Sequence, residues 1–147
     1  MNWLLVALIV LAVVIVAFGL YVRLAPTDPE EWHIAAPNAP PGDYPAEGAF
    51  IAVRPVTEPG PEVLSRLDAI ALDTPRTHRV AGSPAEGMIT WVSRSALWGF
   101  PDFTTARVED GKLTIHGRLR FGRGDMGVNR KRVERWLAQL EARAPGA

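Results

Sequence analysis

The first feature of the hydrophobic pattern is an apolar run from Trp3 to Val22 that contains no charged side chain. In a helix these 20 residues extend about 30 Å, the thickness of the hydrocarbon core of a bilayer. Trp3 and Tyr21 lie at the two ends, where aromatic rings prefer the level of the headgroups. The pattern predicts a transmembrane anchor over residues 1–22, through which the chain contacts the lipid bilayer.

A cleaved signal peptide is the alternative interpretation of this run, because small residues at Ala17 and Gly19 resemble a cleavage site. The length of the run and the absence of Lys or Arg before it favour a retained anchor. The positive-inside rule hardly decides the orientation, since Arg23 is the only Lys or Arg close to the run. An amino-terminal anchor usually carries the domain that follows it outward. We therefore expect a single pass through the inner (cytoplasmic) membrane with a periplasmic domain.

Residues 23–48 form a different kind of segment, acidic and rich in proline, with six prolines between Pro26 and Pro45. Such a run is extended and semi-rigid. It predicts a linker that is either a stalk or a segment laid over the surface of the domain. Trp32 within it is either an interfacial anchor or a ring packed on the domain, and we favour the second.

A compact domain is predicted over residues 49–147. "FIAVRPV", ending near Pro55, and "GMITWVSRS" are typical of short strands. Between them, a helix is predicted to begin at Pro61 and to end before Pro75. Its apolar positions recur at helical spacing: Val63, Leu67, Ile70 and Ala71.

The strongest local signal is Asp110-Gly111, which joins "DFTTARVE" and "KLTIHGRLRF" as a two-residue hairpin. This turn sets the register, with Val108 opposite Leu113 and Phe103 opposite Arg118. Alternation then predicts one core face, made of Ala106, Val108, Leu113, Ile115, Leu119 and Phe121. The opposite, exposed face collects Phe103, Arg107, His116, Arg118 and Arg120.

A last helix is predicted from Asn129, as its N-cap, to Ala142. The predicted fold class is α+β: a small antiparallel sheet of three to five strands with two helices packed on one face, preceded by one transmembrane helix.

The net charge becomes informative only when it is counted separately for the two parts of the chain. The 16 basic and 16 acidic residues cancel, but residues 23–74 carry a net charge of −6 and residues 75–147 a net charge of +6. Six arginines in the second part are candidates for binding an anion: Arg107, Arg118, Arg120, Arg123, Arg130 and Arg132. Residues 130–132 are basic and fall in the first turn of the last helix, where the helix dipole disfavours cations. The anion that balances them is either internal, with Asp68 and Asp73 as candidates, or an external phosphate or carboxylate.

Several kinds of chemistry receive no support from the sequence. The chain has no cysteine, its three histidines lack the spacing of metal ligands, and no Walker loop is present. Gly122, Gly124 and Gly127 spell G-x-G-x-x-G, but the 20 residues after them cannot supply the second parallel strand of a dinucleotide-binding unit. We therefore expect no metal, no cofactor and no nucleic-acid partner, and we assign no catalytic residue.

Three blocks carry a resemblance to a known family: "TPRTHRVAGS", "WVSRSALWGFPDF" and "GRLRFGRGDMGVNRKRVERWL". With them the chain, over roughly residues 45–142, resembles the bacterial domain-of-unknown-function family numbered 1499. The resemblance implies a small membrane-associated or exported bacterial domain with no assigned activity. It supplies no catalytic residues.

Two functional hypotheses follow. The first is a membrane-tethered binding or accessory module that presents its arginine-rich face to an anionic lipid headgroup, an envelope polymer or an acidic partner protein. The alternative is a hydrolase of phosphate-containing cell-envelope substrates, in which His78, His116 or Asp125 acts as acid or base. The alternative requires these three side chains to meet in one pocket. Nothing else in the sequence indicates an enzyme.

Overall fold

Six antiparallel strands and four helices make up residues 2–146, the part of the protein that the computed structural model describes. The helices are α1 (Trp3–Leu24), α2 (Pro29–Trp32), α3 (Gly60–Asp73) and α4 (Val128–Ala142). The strands are β1 (Gly42–Ala46), β2 (Ala49–Pro55), β3 (Thr77–Ser83), β4 (Met88–Arg94), β5 (Pro101–Glu109) and β6 (Lys112–Leu119). They form one sheet in the order β1-β2-β6-β5-β4-β3.

The predicted α+β class is confirmed, but the prediction of three to five strands and two helices is wrong. The two strands that the pattern did not reveal are β1 and β3, the edges of the sheet. β1 falls inside residues 23–48, which were expected to be a linker, and β3 falls between the predicted helix that ends before Pro75 and the predicted strand "GMITWVSRS". β1 is mostly exposed and β3 is mostly half-buried, so neither shows the alternation of buried and exposed residues that identifies a central strand.

The core lies between the sheet and the two helices α3 and α4, which pack on one face. Trp91 from β4 and Trp136 from α4 meet edge to face, with ring centroids 5.4 Å apart. Asp68 on α3 is buried at this core and accepts a hydrogen bond from the indole Nε1 of Trp91 (2.9 Å) while it pairs with Arg79. The apolar spacing that predicted α3 is confirmed, since its four predicted apolar positions are all buried.

The predicted hairpin register is confirmed: Val108 faces Leu113 and Phe103 faces Arg118. Asp110 and Gly111 both have positive φ, 50° and 69°, as a two-residue turn of this type requires. The predicted core face of the hairpin is therefore confirmed where the helices cover it, since Ala106 and Ile115 are fully buried.

The opposite face of the sheet is not exposed as expected, because the chain from 25 to 41, which we call the strap, lies across it. Trp32 of the strap stacks on Phe103, with centroids 4.0 Å apart and planes 15° apart, which confirms that this ring packs on the domain. The neighbouring His33 is hydrogen-bonded through Nδ1 to Thr90 Oγ1 (2.8 Å). Lys112, the first residue of β6, donates to Asn38 Oδ1 (2.5 Å). The proline-rich segment is thus a covering layer of the domain.

Helix α4 begins one residue earlier than predicted, and Asn129 is not its N-cap. Gly127 occupies that position in a left-handed conformation, with φ 76°. Asn129 is instead completely buried in the first turn, where its Oδ1 accepts from Arg132 Nη1 (2.9 Å).

Candidate functional site

The carboxyl end of α1 is packed on the domain, and this junction is the most unusual feature of the structure. α1 is the single helix within residues 2–146 that is long and apolar enough to cross a membrane, a test that a signal sequence also passes. Most of it is exposed, but Val22 is only 1% exposed. Phe18 lies 6.1 Å from Phe100, and Tyr21 lies 6.0 Å from Phe121, measured between ring centroids. The last turns of α1 are therefore part of the fold of the domain.

The loop between β4 and β5, residues Ser95 to Phe100, forms the other side of the junction. Its tip is apolar and unusually exposed: the Leu97 side chain is 75% exposed and that of Trp98 40%. The Trp98 ring lies alongside α1, close enough to Gly19 that an added Cβ there would be 3.9 Å from the ring. A groove of about 310 Å³ continues between this loop and α1 as far as Val14.

Three arginines surround the junction, and we call them the junction arginines. They come from α1, from the end of β4 and from the residue just after β6. Each donates to a backbone carbonyl oxygen: Arg23 to Leu97 (2.8 Å), Arg94 to Gly99 (2.8 Å) and Arg120 to Pro26 (2.9 Å). Arg94 also reaches the carbonyl oxygen of Val22, at 3.4 Å.

The junction arginines are close to one another and lack carboxylate partners among residues 2–146. Burial lowers the pKa of Arg94, and the positive charges of Arg120 and Arg23 lower it further. Within residues 2–146, no Asp or Glu oxygen lies within 4.0 Å of any of the three guanidinium groups. Nη1 of Arg120 is buried without a hydrogen-bond acceptor in the same part of the chain. A guanidinium has five N–H donors, so most donors of this cluster remain unused.

The other arginines predicted on the strand face are separated from this cluster. Arg107, toward the opposite end of the sheet, pairs with Glu109. Arg118 lies under Trp32, 5.4 Å from its ring centroid, and donates to its carbonyl oxygen. Burial lowers the pKa of Arg118. The prediction of an exposed arginine face is therefore wrong at Arg118, which the strap covers.

The arginines predicted at the start of α4 are also engaged internally. Arg130 pairs with Glu134 one turn later, at 2.7 Å. Arg132 is largely buried and lies 3.5 Å from Asp102, and burial lowers its pKa. Arg123 is exposed in the loop before α4. The six predicted arginines thus lie on different surfaces, and only Arg120 belongs to the junction cluster.

The anion at the start of α4 is Asp125, a residue predicted only as a possible acid or base. Its Oδ1 accepts from the backbone N–H of Gly127 (3.0 Å) and its Oδ2 from that of Asn129 (2.8 Å). Burial opposes its ionisation, but these hydrogen bonds outweigh burial and hold the pKa of Asp125 below its usual value. Asp68 is engaged elsewhere, by Arg79. An internal carboxylate is therefore present at this helix start, but it is neither of the two candidates, Asp68 and Asp73, and it caps the helix rather than pairing with residues 130–132.

The residues of the hydrolase alternative do not meet in one pocket. His78 lies on the edge strand β3 and His116 on β6, and β4 and β5 separate them. Three strand spacings correspond to about 14 Å. Asp125 is in the loop before α4, toward the face of the sheet that carries the helices. In the part of the chain described, no three His, Asp or Glu side chains are grouped as metal ligands would be.

Two of the junction arginines escaped sequence reasoning. Arg23 was considered only as the end of the span, and Arg94 was not singled out. They are 71 positions apart in the sequence, and no periodicity connects them. The adjacent apolar pair Leu97-Trp98 in a loop was the one local signal that pointed to this surface.

Residues 22–140 match the family described as "Protein of unknown function (DUF1499)". The match begins at Val22, the residue of α1 that is buried against the domain. No curated protein matches the chain.

Proposed function

The chain belongs to the DUF1499 family, and from that premise we propose that it is a membrane-tethered accessory module whose junction arginines bind the phosphate headgroups of anionic lipids. α1 is the tether in this proposal, a retained anchor rather than a cleaved signal. The domain lies on the periplasmic side of the inner membrane.

One observation carries the proposal: three guanidinium groups, with no carboxylate partner in the described part of the chain, surround the carboxyl end of a 22-residue apolar helix. A helix of this length extends about 33 Å, slightly more than a hydrocarbon core of about 30 Å. Groups at its end therefore lie at the level of the lipid phosphates. Arginine forms bidentate, charge-assisted hydrogen bonds with phosphate. The positive charge of the junction arginines therefore favours binding of a phosphate group.

The contact of Phe18 with Phe100 supports a retained helix. Val22 is also buried against the domain, and its carbonyl oxygen accepts from Arg94, but Val22 would remain after cleavage at Gly19. Cleavage after Gly19 would remove the Phe18 ring that contacts Phe100. The mature domain would then lose part of its own packing.

The headgroup proposal is tested with the full-length protein reconstituted in phosphatidylcholine bilayers that contain a trace of spin-labelled lipid. We expect spin-labelled phosphatidylglycerol to associate with the protein more strongly than spin-labelled phosphatidylcholine, and added salt to weaken this preference. Each arginine near an anionic surface contributes about 1 kcal/mol, so Arg120→Gln should lower the relative association constant about fivefold.

Arg107→Gln is the matched control, because Arg107 lies on the same face of the sheet but pairs with Glu109 toward its other end. It should leave the lipid preference unchanged. Equal association of the two lipids with the wild-type protein would refute the proposal, as would an equal loss in the two variants. A polyanion or acidic protein that binds while the lipid preference is absent would point to the other predicted ligands.

The orientation has a separate test. Alkaline phosphatase or green fluorescent protein is fused after residue 147 of the full-length chain. Active phosphatase and dark fluorescent protein are expected for a periplasmic domain, and the reverse pattern would contradict that orientation.

A further inference from the structure

The loop from Ser95 to Phe100 has a surface that headgroup binding does not explain. Leu97 and Trp98 expose apolar area at its tip, next to a helix whose own surface is apolar. Large exposed apolar side chains that adjoin one another mark an interaction surface. Because this surface is continuous with α1, its environment is the environment of α1.

The depth of the loop follows from the length of α1. The helix extends about 33 Å, and a hydrocarbon core is about 30 Å thick, so no more than about two residues can lie outside the core. Gly19, which faces the Trp98 ring, is five residues from Leu24, the last residue of α1. Val14, where the groove between loop and helix ends, is another five residues deeper. Trp98 therefore lies beside a part of α1 that has to be inside the bilayer.

Part of the loop backbone is paired within the protein, whereas the N–H groups of residues 96–98 at its tip have no acceptor among the described residues. Nonhelical backbone is tolerated in the hydrocarbon region only where its polar groups have partners within the protein. Inside the loop, Ser95 N–H donates to Phe100 O (3.0 Å), Gly99 N–H to Ser95 O (3.1 Å) and Phe100 N–H to Ser95 Oγ (3.0 Å). The carbonyl oxygens of Leu97 and Gly99 are taken by Arg23 and Arg94.

Those two arginines also link the loop to the interface. Their side chains join the loop to the end of α1 and keep the charges at the level of the headgroups, as long cationic side chains do near membrane surfaces. Trp98 has the amphipathic ring that prefers the boundary between headgroups and acyl chains. The depth of the loop and the types of its side chains thus agree, and its hydrogen bonds satisfy part of its backbone.

We propose that the Ser95–Phe100 loop is inserted into the leaflet next to the domain, where Leu97 and Trp98 contact lipid acyl chains as a second membrane contact beside α1. This rests on the proposed function only in taking α1 to span the bilayer. It does not depend on which headgroups the junction arginines bind.

The absence of cysteine from the chain makes a direct test possible. Leu97→Cys is labelled with the environment-sensitive fluorophore NBD, and the full-length protein is reconstituted in phosphatidylcholine vesicles. We expect blue-shifted emission, loss of fluorescence with lipids that carry a doxyl group high on the acyl chain, and no loss with external iodide. Ala96→Cys, at the exposed neighbouring position, should give the same result. Agreement between the two labels would show that the result does not come from a local effect of the label at residue 97.

Two further positions calibrate the result. Ala85→Cys, in the exposed turn between β3 and β4 at the opposite end of the sheet, should be quenched by iodide and not by doxyl lipids. Val10→Cys, in the middle of α1, should be quenched most by a doxyl group deep in the chain. Labels at 96 and 97 that behave like the label at 85 would overturn the proposal.

The same preparation separates this inference from the proposed function. Arg120→Gln should leave the quenching at residue 97 unchanged even as it lowers the preference for phosphatidylglycerol. If the headgroup preference is absent but the loop is quenched by doxyl lipids, the insertion stands and the headgroup proposal fails.

Discussion

Acid should destabilise the domain through His116, and the structure gives the size of the effect. His116 lies on β6, on the face of the sheet that the strap covers, two residues from Arg118. Burial, reinforced by the charge of Arg118, lowers the pKa of His116 from 6.5 to about 4. In the folded protein the ring therefore resists the proton that the unfolded chain accepts near pH 6.5.

The sign follows from linkage. Above pH 6.5 the imidazole is neutral in both the folded and the unfolded chain, so the stability linked to this residue is fully present. As the pH falls toward 4, the unfolded chain binds a proton and the folded one does not, and that stability is lost. The difference between the two pKa values corresponds to about 3 kcal/mol, which partial exposure of the ring reduces to about 2 kcal/mol at pH 4.5.

The assay is urea unfolding of the full-length protein in detergent micelles, followed by tryptophan fluorescence at pH 7 and at pH 4.5. Other groups titrate in this range: the lowered pKa of Asp125 acts in the same sense as His116, and the pKa of Asp102, raised mainly by burial, acts in the opposite sense. The informative quantity is therefore the difference between wild type and His116→Gln. The variant should lose about 2 kcal/mol less than wild type between the two pH values.

His78→Gln is the matched control, since His78 is exposed on the edge strand β3. It should unfold with the same pH dependence as the wild type. If His116→Gln loses as much stability in acid as the wild type does, the reasoning about burial under the strap is refuted.

Three further substitutions test the packing. Asp68→Ala should lower the free energy of unfolding by about 3 kcal/mol, because it leaves the buried indole N–H of Trp91 without its acceptor. Its control is Asp73→Ala, at the exposed end of the same helix, which should lower it by less than about 0.5 kcal/mol. Gly82→Ala should cost at least about 1 kcal/mol, since Gly82 has φ 80° and an added Cβ would overlap a backbone carbonyl; Gly124→Ala, which has open space around it, serves as control. Trp32→Ala should cost about 2 kcal/mol by removing the ring that stacks on the sheet. Equal costs in either variant–control pair, or an unchanged melting temperature for Trp32→Ala, would contradict the assigned contacts.

The parts of the fold that sequence reasoning predicted are those determined by nearby residues. Asp110-Gly111 determines the register of β5 and β6 without help from the rest of the chain, and every predicted cross-strand pair of this hairpin is present. The spacing of apolar residues located α3 and α4 for the same reason. A turn or a helical stripe is encoded within about ten residues.

The parts that escaped prediction depend on partners distant in the sequence. β1 and β3 are strands because they pair with β2 and β4, and their own side chains are too exposed to signal it. The strap covers the sheet because Trp32 meets Phe103, 71 positions later. The spacing of apolar residues in the sequence reveals neither the pairing of these strands nor the contact of Trp32 with Phe103.

The candidate site illustrates the same limit. Grouping arginines by proximity in the sequence selected six that lie on different surfaces, several of them already paired. The junction cluster, which has no carboxylate partner within residues 2–146, combines Arg120 with two arginines from other elements, and only folding brings them together. An excess of positive charge in a segment therefore does not show which of its arginines have carboxylate partners and which do not.

The attachment of the last turn of α1 to the domain has a mechanical consequence. With Val22 buried and its carbonyl oxygen held by Arg94, no flexible joint separates the helix from the sheet. A helix that meets a thicker or thinner bilayer adjusts its tilt. If α1 spans a bilayer as proposed, each degree of tilt would turn the whole sheet by a degree, so bilayer thickness would set the angle between the sheet and the membrane surface.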